Sequence, residues 1–345
     1  MKPLTDQCLQ MVLQEMRFLK RKELYAKYPA IRNQEERTGY RLNEMMISQR
    51  LTKYEIYVDG LEIVINNYPE DKTKKCGVRM TNKRRGPRCI DKSIDIDPDE
   101  AAEKWVTYIL NRPNTRIQNL YLFSESPICI LKCDEPMSVI NIFMYVESEL
   151  PEGSGRSSWV ETTAPVKYLE TKRVSNDDTM KAALMVSIRE DVHIDGKILS
   201  EWQANRISST SPFPLEEVVT YCTGIAESGR PIGFHCQSFF KDAYIENSTI
   251  DWLAEKLNAR KTSWDERLVV VYSSWTIRNF RKCFTIPLDD ASELNVHGNF
   301  LIRSTDLIIE VNAKGTAIDR DEFLNETFKC SSIICCLNEL LLLLL

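Results

Sequence analysis

Histidine is scarce in this chain: three in 345 residues, His193, His235 and His297. None is spaced with a second histidine or cysteine as a zinc finger requires, although His235 and Cys236 are adjacent. Cys129 and Cys133 lack a matching second pair, so no metal is expected. C-x-x-C, G-x-S-x-G and H-E-x-x-H are absent, and so is G-x-x-x-x-G-K-[ST] with its backbone cradle for phosphates. Asp95, Asp97, Asp99 and Glu100 resemble the start of a calcium loop, but the loop glycine and distal glutamate are missing and Pro98 intrudes. No catalytic constellation emerges, so neither enzyme chemistry nor a cofactor is expected.

Other shortages set the class. Twelve glycines and fourteen prolines are too few for a collagen-like or linker-dominated chain. Eleven cysteines are too few for a disulfide scaffold. Residues 1–16 are interrupted by Lys2, Asp6, Gln7, Gln10, Gln14 and Glu15, which does not read as a secretory signal. The thiols are therefore expected to be reduced, in a cytoplasmic or nuclear protein. The longest apolar run, Ile333 to Leu345, carries Asn338 and Glu339 and is shorter than the roughly 20 residues a spanning helix needs. It reads as a poorly defined apolar tail.

What is present suits an ordinary folded chain of about two domains, with 43% apolar and 28% charged residues. Charge is uneven. Residues 1–92 hold 20 lysines and arginines against 12 acids, whereas the remainder is acidic. The basic excess lies between Lys72 and Lys92, which raises nucleic-acid binding as an alternative. That run has no aromatic residue for base stacking, and Gly77–Thr81 alternates like a strand before a Gly86-Pro87 turn. A solvated hairpin is the favoured reading.

Apolar residues at Leu4, Leu9, Val12, Leu13 and Met16 recur at the 3/4 spacing of an amphipathic helix, with Thr5 or Asp6 as its N-cap. A second helix runs from Leu19 to Lys27 and ends before Pro29. This helical unit of about 40 residues is too small to bury a core alone, so it must pack on the rest of the chain or on a partner. Tyr54–Val58, Asp59-Gly60 and Leu61–Ile65 predict a hairpin. A helix follows from Pro98 to Pro113, then strands at 117–123, 128–131 and 139–146. Residues 151–156 are the linker candidate. Beyond it, strands are expected at 182–188, 268–272, 283–286, 294–296 and 307–311, with helices at 196–206 and 248–257. The fold class is α+β: a small helical unit, then mixed helix and strand units that either stack as a short, irregular leucine-rich-repeat-like array or close around one sheet.

Pro3-Leu4, Leu9, Val12-Leu13, Met16, Leu24 and Tyr28-Pro29-x-Ile31-Arg32 resemble a degenerate F-box of the large nematode family of F-box proteins. Downstream, Ser211-Pro212-Phe213-Pro214-Leu215, Gly229-Arg230-Pro231-Ile232-Gly233, Arg281–Leu288 and Ser292–Gly298 resemble landmarks of that family's F-box-associated domain, whose function is unknown. No tryptophan precedes Trp105, and 151–165 departs from the family pattern. The resemblance implies an F-box-like segment at 1–45, associated-domain portions at 46–150 and 157–312, and a tail at 313–345. It also implies a substrate-recognition adaptor of a cullin-type ubiquitin ligase. Pro3, Leu4, Leu9, Val12, Leu13 and Met16 would meet the ligase's adaptor subunit, and the associated domain would choose the target protein. A protein-interaction module without a ligase role is the alternative.

Overall fold

The structure, a computed structural model, describes residues 5–50, 53–66, 76–84, 89–124, 136–146, 161–189, 192–239, 247–269, 276–299 and 306–319. Outside them lie Pro3, Leu4, the Gly86-Pro87 turn, the 128–131 strand, Cys129, Cys133, the 151–156 linker and the 333–345 tail. The chain is α+β, with helices at the N-terminus followed by many strands. It forms two compact units, Met1–Arg189 with Trp202–Ala204, and Glu190–Glu201 with Asn205–Leu345. The division thus falls at Arg189, not at 151–156.

The first unit opens with α1 (Asp6–Glu15), α2 (Phe18–Lys27) and α3 (Arg32–Glu36). Thr5 caps α1 by accepting the Cys8 amide at 3.3 Å. Tyr28 ends α2, its amide returning to the Leu24 carbonyl, because Pro29 has no amide to continue the ladder. The helices stop before residue 45, since β1 (Arg41–Arg50) already begins there. The meander β2 (Lys53–Val58), β3 (Leu61–Asn66), β4 (Cys76–Asn82) and β5 (Cys89–Ile94) pairs antiparallel, with β2 on β1. Asp59 and Gly60 both take positive φ at the β2–β3 turn, as a two-residue hairpin loop requires.

Helix α4 (Pro98–Leu110) follows, capped by Asp97 and carrying Asp99 and Glu100 in its first turn. It crosses over and packs on β2 and β3, burying Ala101, Ala102, Val106 and Ile109. On the far side of β1 the strands run parallel in sequence order. They are β6 (Arg116–Ser124), β7 (Ser138–Val146), β8 (Tyr168–Thr171) and, after the short α5 (Asp178–Ala182), β9 (Met185–Ile188). The expected strand at 182–188 is shorter because Asp177 caps a helical turn ahead of it. One face of this sheet is core: Met45, Ile47, Ile56, Ile63, Leu120, Leu122, Ile142, Leu169 and Ile188 are buried. Each contributes at most about 1.5–3 kcal/mol.

The second unit contains α6 (Gly196–Ser200), β10 (Arg206–Ser209), α7 (Leu215–Ser228), β11 (His235–Phe239) and α8 (Asn247–Lys256). It continues with β12 (Arg260–Val269), β13 (Thr276–Pro287), β14 (Ser292–Asn299), β15 (Asp306–Ala313) and β16 (Ile318–Asp319). Its strands follow the order β16-β12-β13-β14-β15-β11-β10, antiparallel throughout except for β10 with β11. The helix expected at 196–206 ends at Ser200. Trp202 instead turns into the first unit, where its indole donates to the Ser175 carbonyl at 3.1 Å. The strand expected at 268–272 starts eight residues earlier, at Arg260, directly after α8.

Candidate partner-binding surfaces

The predicted docking stripe divides once α1 is folded. Leu13 is buried at 1% exposure, Leu9 and Met16 are half-buried, and Val12 is 46% exposed beside Met11 at 67%. Helical geometry explains the division. Residues 9 and 13 share one face at a spacing of four, whereas 11 and 12 lie off it, and Met16 is the extended C-cap that follows the helix.

The helical unit packs on its own chain through an ionic core. Arg21 of α2, fully buried, donates to the carbonyls of Glu35 at 2.6 Å, Gly39 at 2.7 Å and Thr38. These carbonyls belong to the C-terminal end of α3 and the turn after it, where a cation is favoured. The Glu35 carboxylate lies 3.1 Å from Arg21 Nε, 2.7 Å from Lys22 Nζ and 3.0 Å from Arg112 Nη1, and accepts from Tyr40 OH at 3.1 Å. Burial pushes this carboxyl up, but the Lys22 hydrogen bond and the charges of Lys22, Arg112 and Arg21 outweigh it and hold it below the ordinary range. Because Arg112 follows α4, the cluster rivets the helices to the sheet's crossover.

A second surface was not foreseen. Opposite the core face, the parallel strands present Tyr121 and Phe123 of β6, Phe143 and Tyr145 of β7 and Tyr168 of β8, all half-exposed. Tyr121 stacks on Phe143 at 4.5 Å and Phe123 on Tyr145 at 4.8 Å, with Tyr168 tilted against Phe143 at 5.5 Å. Asn119 and Asn141 continue the ladder with a 2.8 Å hydrogen bond. Glu170 anchors the end: it accepts from Tyr168 OH at 2.9 Å and from Tyr145 OH, and pairs with Arg189 at 2.8 Å. Burial raises the Glu170 carboxyl, and these three donors more than reverse that. The rings are thus fixed before any partner arrives, which lowers the entropy cost of binding.

The other candidates acquire plain structural roles. His235 of β11 and His297 of β14 flank Glu310 of β15, with contacts of 3.7 Å and 3.0 Å. Against the upward push of burial, the two imidazoles hold the Glu310 carboxyl at about 2. His193 is exposed. Among the described residues, no group of three or more metal-ligating side chains is assembled. In the basic run, Arg79 lies 2.8 Å from Asp91 and Lys83 lies 2.9 Å from Glu62, so two of its described cations are already paired within the hairpin. No described helix is long and apolar enough to cross a membrane. The chain matches no family model, no curated protein and no solved structure.

Proposed function

We propose that this protein is a non-catalytic adaptor that joins a target protein to a cullin-type ubiquitin ligase. In this reading the N-terminal helices dock on the ligase's adaptor subunit, and the open aromatic face of the first unit receives the target. The observation carrying the first half is that α1 is anchored through Leu13 while Met11 and Val12 stand exposed. Apolar side chains of that size, presented by a rigid helix, are suited to a partner's groove. The ordered row of tyrosines and phenylalanines supports the second half, since such residues supply large contact area at low entropy cost. Burial of Leu13 favours the second reading, an interaction module with no ligase role, because it removes one anchor from the docking stripe.

Co-expression with the ligase adaptor subunit, followed by gel filtration, tests the proposal. The wild type is expected to co-elute, and a Met11→Asp/Val12→Asp variant of unchanged circular dichroism is expected to elute alone. A folded wild type that never co-elutes ends the ligase reading and leaves the interaction module.

A further inference from the structure

Besides the aromatic face, the first unit carries a second apolar surface. Between α2, α4 and the outer ends of β3 and β4 lies a cavity of about 620 Å³. Its size falls in the range of about 300–1,000 Å³ typical of small-ligand sites. Its walls are Phe18, Leu19 and Tyr25 from α2, Trp105 and Tyr108 from α4, and Leu61 and Met80 from the sheet. Trp105 and Tyr108 meet edge to face at 6.3 Å, which sets the angle of the α4 wall.

Polar groups in the wall are few, and Lys22 is the one placed by the buried core. Its ammonium lies 4.7–5.7 Å from the ring centroids of Tyr108, Tyr40, Tyr25 and Phe18. It donates to Glu35 at 2.7 Å and to Tyr108 OH. An ammonium has three hydrogens, and the third finds no acceptor among the described residues. The Lys22 side chain retains 22% exposure and lines the cavity. The charge balance behind it is one-sided. Arg21, Lys22 and Arg112 converge on the single carboxylate of Glu35. Carbonyl dipoles and ring faces temper this excess without cancelling a full charge. At the rim, Lys104 makes an exposed pair with Glu100 at 2.6 Å, and Glu23, the acid among the lining residues, pairs with Lys20 at 3.3 Å. Exposed pairs of this kind are weak and readily exchanged.

We infer that this cavity binds a small organic acid, with an aromatic or aliphatic body against the Phe18, Trp105, Tyr108, Leu61 and Met80 walls and its carboxylate on Lys22. The body supplies the area removed from water. The carboxylate accepts the third Lys22 hydrogen and offsets the excess positive charge of the cluster behind it.

The test is calorimetric titration of the full chain with 2-naphthoate and, in parallel, with the neutral 2-naphthalenemethanol. Saturable one-to-one binding of the acid is expected, with the alcohol at least tenfold weaker. Lys22→Met is expected to erase that preference while retaining the wild-type circular dichroism, because Arg21 and Arg112 still pair with Glu35. Met80→Trp, which fills the cavity from the sheet side, is expected to abolish binding of both compounds and keeps the test decisive if the lysine variant misfolds. Equal affinity for acid and alcohol, a preference surviving in Lys22→Met, binding undisturbed by Met80→Trp, or no saturable binding would each overturn the assignment.

Discussion

Glu35 is the residue on which the helical unit turns. It is fully buried, and its carboxylate answers three cations from α2 and from the end of α4. Removing one partner from a buried ionic group leaves the others desolvated and uncompensated, which costs about 3–5 kcal/mol. Glu35→Gln is therefore expected to lower stability by about that amount in urea unfolding. An unchanged midpoint would show that the cations are satisfied without it. The carboxyl is held below its ordinary value of 4.5 in the folded protein, so the native state takes up this proton less readily than the unfolded chain. Its contribution is consequently complete above about pH 4.5 and is lost as pH falls through the lower folded value. The wild-type midpoint should decline in that window, and the decline should be shallower in Glu35→Gln.

Among the elements, the β2–β3 hairpin does more than reverse the chain. Asp59 is buried, and one of its carboxylate oxygens accepts the amides of Asn43 at 3.0 Å and Glu44 at 3.1 Å, tying the turn to the start of β1. Burial raises the Asp59 carboxyl despite these donors. Asp59→Ala removes both bonds and places a β-carbon at φ 47° with no polar side chain to steady it. A loss of about 2–4 kcal/mol is expected. Asp59→Asn keeps an acceptor and tolerates positive φ, so it should cost about 1 kcal/mol. Equal losses for the two variants in denaturant titration would refute the tie to β1.

The same hairpin was plain in the sequence, because Asp-Gly between alternating strands is local chemistry. Helices α2 and α4 were equally legible from Pro29, Pro98 and the acids after Pro98. Strand β1 was hidden because Asn43 and Glu44, both exposed between buried Leu42 and Met45, break the two-residue alternation. Strand β12 was masked by the polar run Arg260–Arg267, which reads as loop. Helix α7 was overlooked even though Pro214, Glu216, Glu217 and Gly229 bracket it. On α1 the period identified apolar residues but merged two faces, since only tertiary packing decides that Leu13 turns inward and Val12 outward. The aromatic ladder had no local signal. Leu120–Phe123 and Ile142–Tyr145 read as continuously apolar strands, and their rings become neighbours only through parallel pairing across the chain.

At the scale of the whole molecule, thiol burial maps where each unit keeps its core. Cys76 is buried in the first unit, and Cys222, Cys236 and Cys283 in the second, whereas Cys8 and Cys89 are exposed. Burial raises all four interior thiols, Cys236 and Cys283 to about 12, so the reactive thiolate is suppressed as well as hidden. Brief alkylation of the native protein followed by peptide mass mapping should label Cys8 and Cys89 and spare the other four. Labelling of Cys222 or Cys236 at the same rate would mean that the α7–β11 region is not packed as described.

The parallel strands carry a consequence of another kind. Ile117 pairs with Val139, Asn141 with Tyr168 and Leu169 with Val186, so each strand is laid beside its predecessor while the connecting segments differ in length. A sheet built in this way depends on nearest neighbours and hardly at all on a fixed repeat. Lengthening the segment between two of these strands, at a point outside the paired residues, would therefore leave every strand pairing in place.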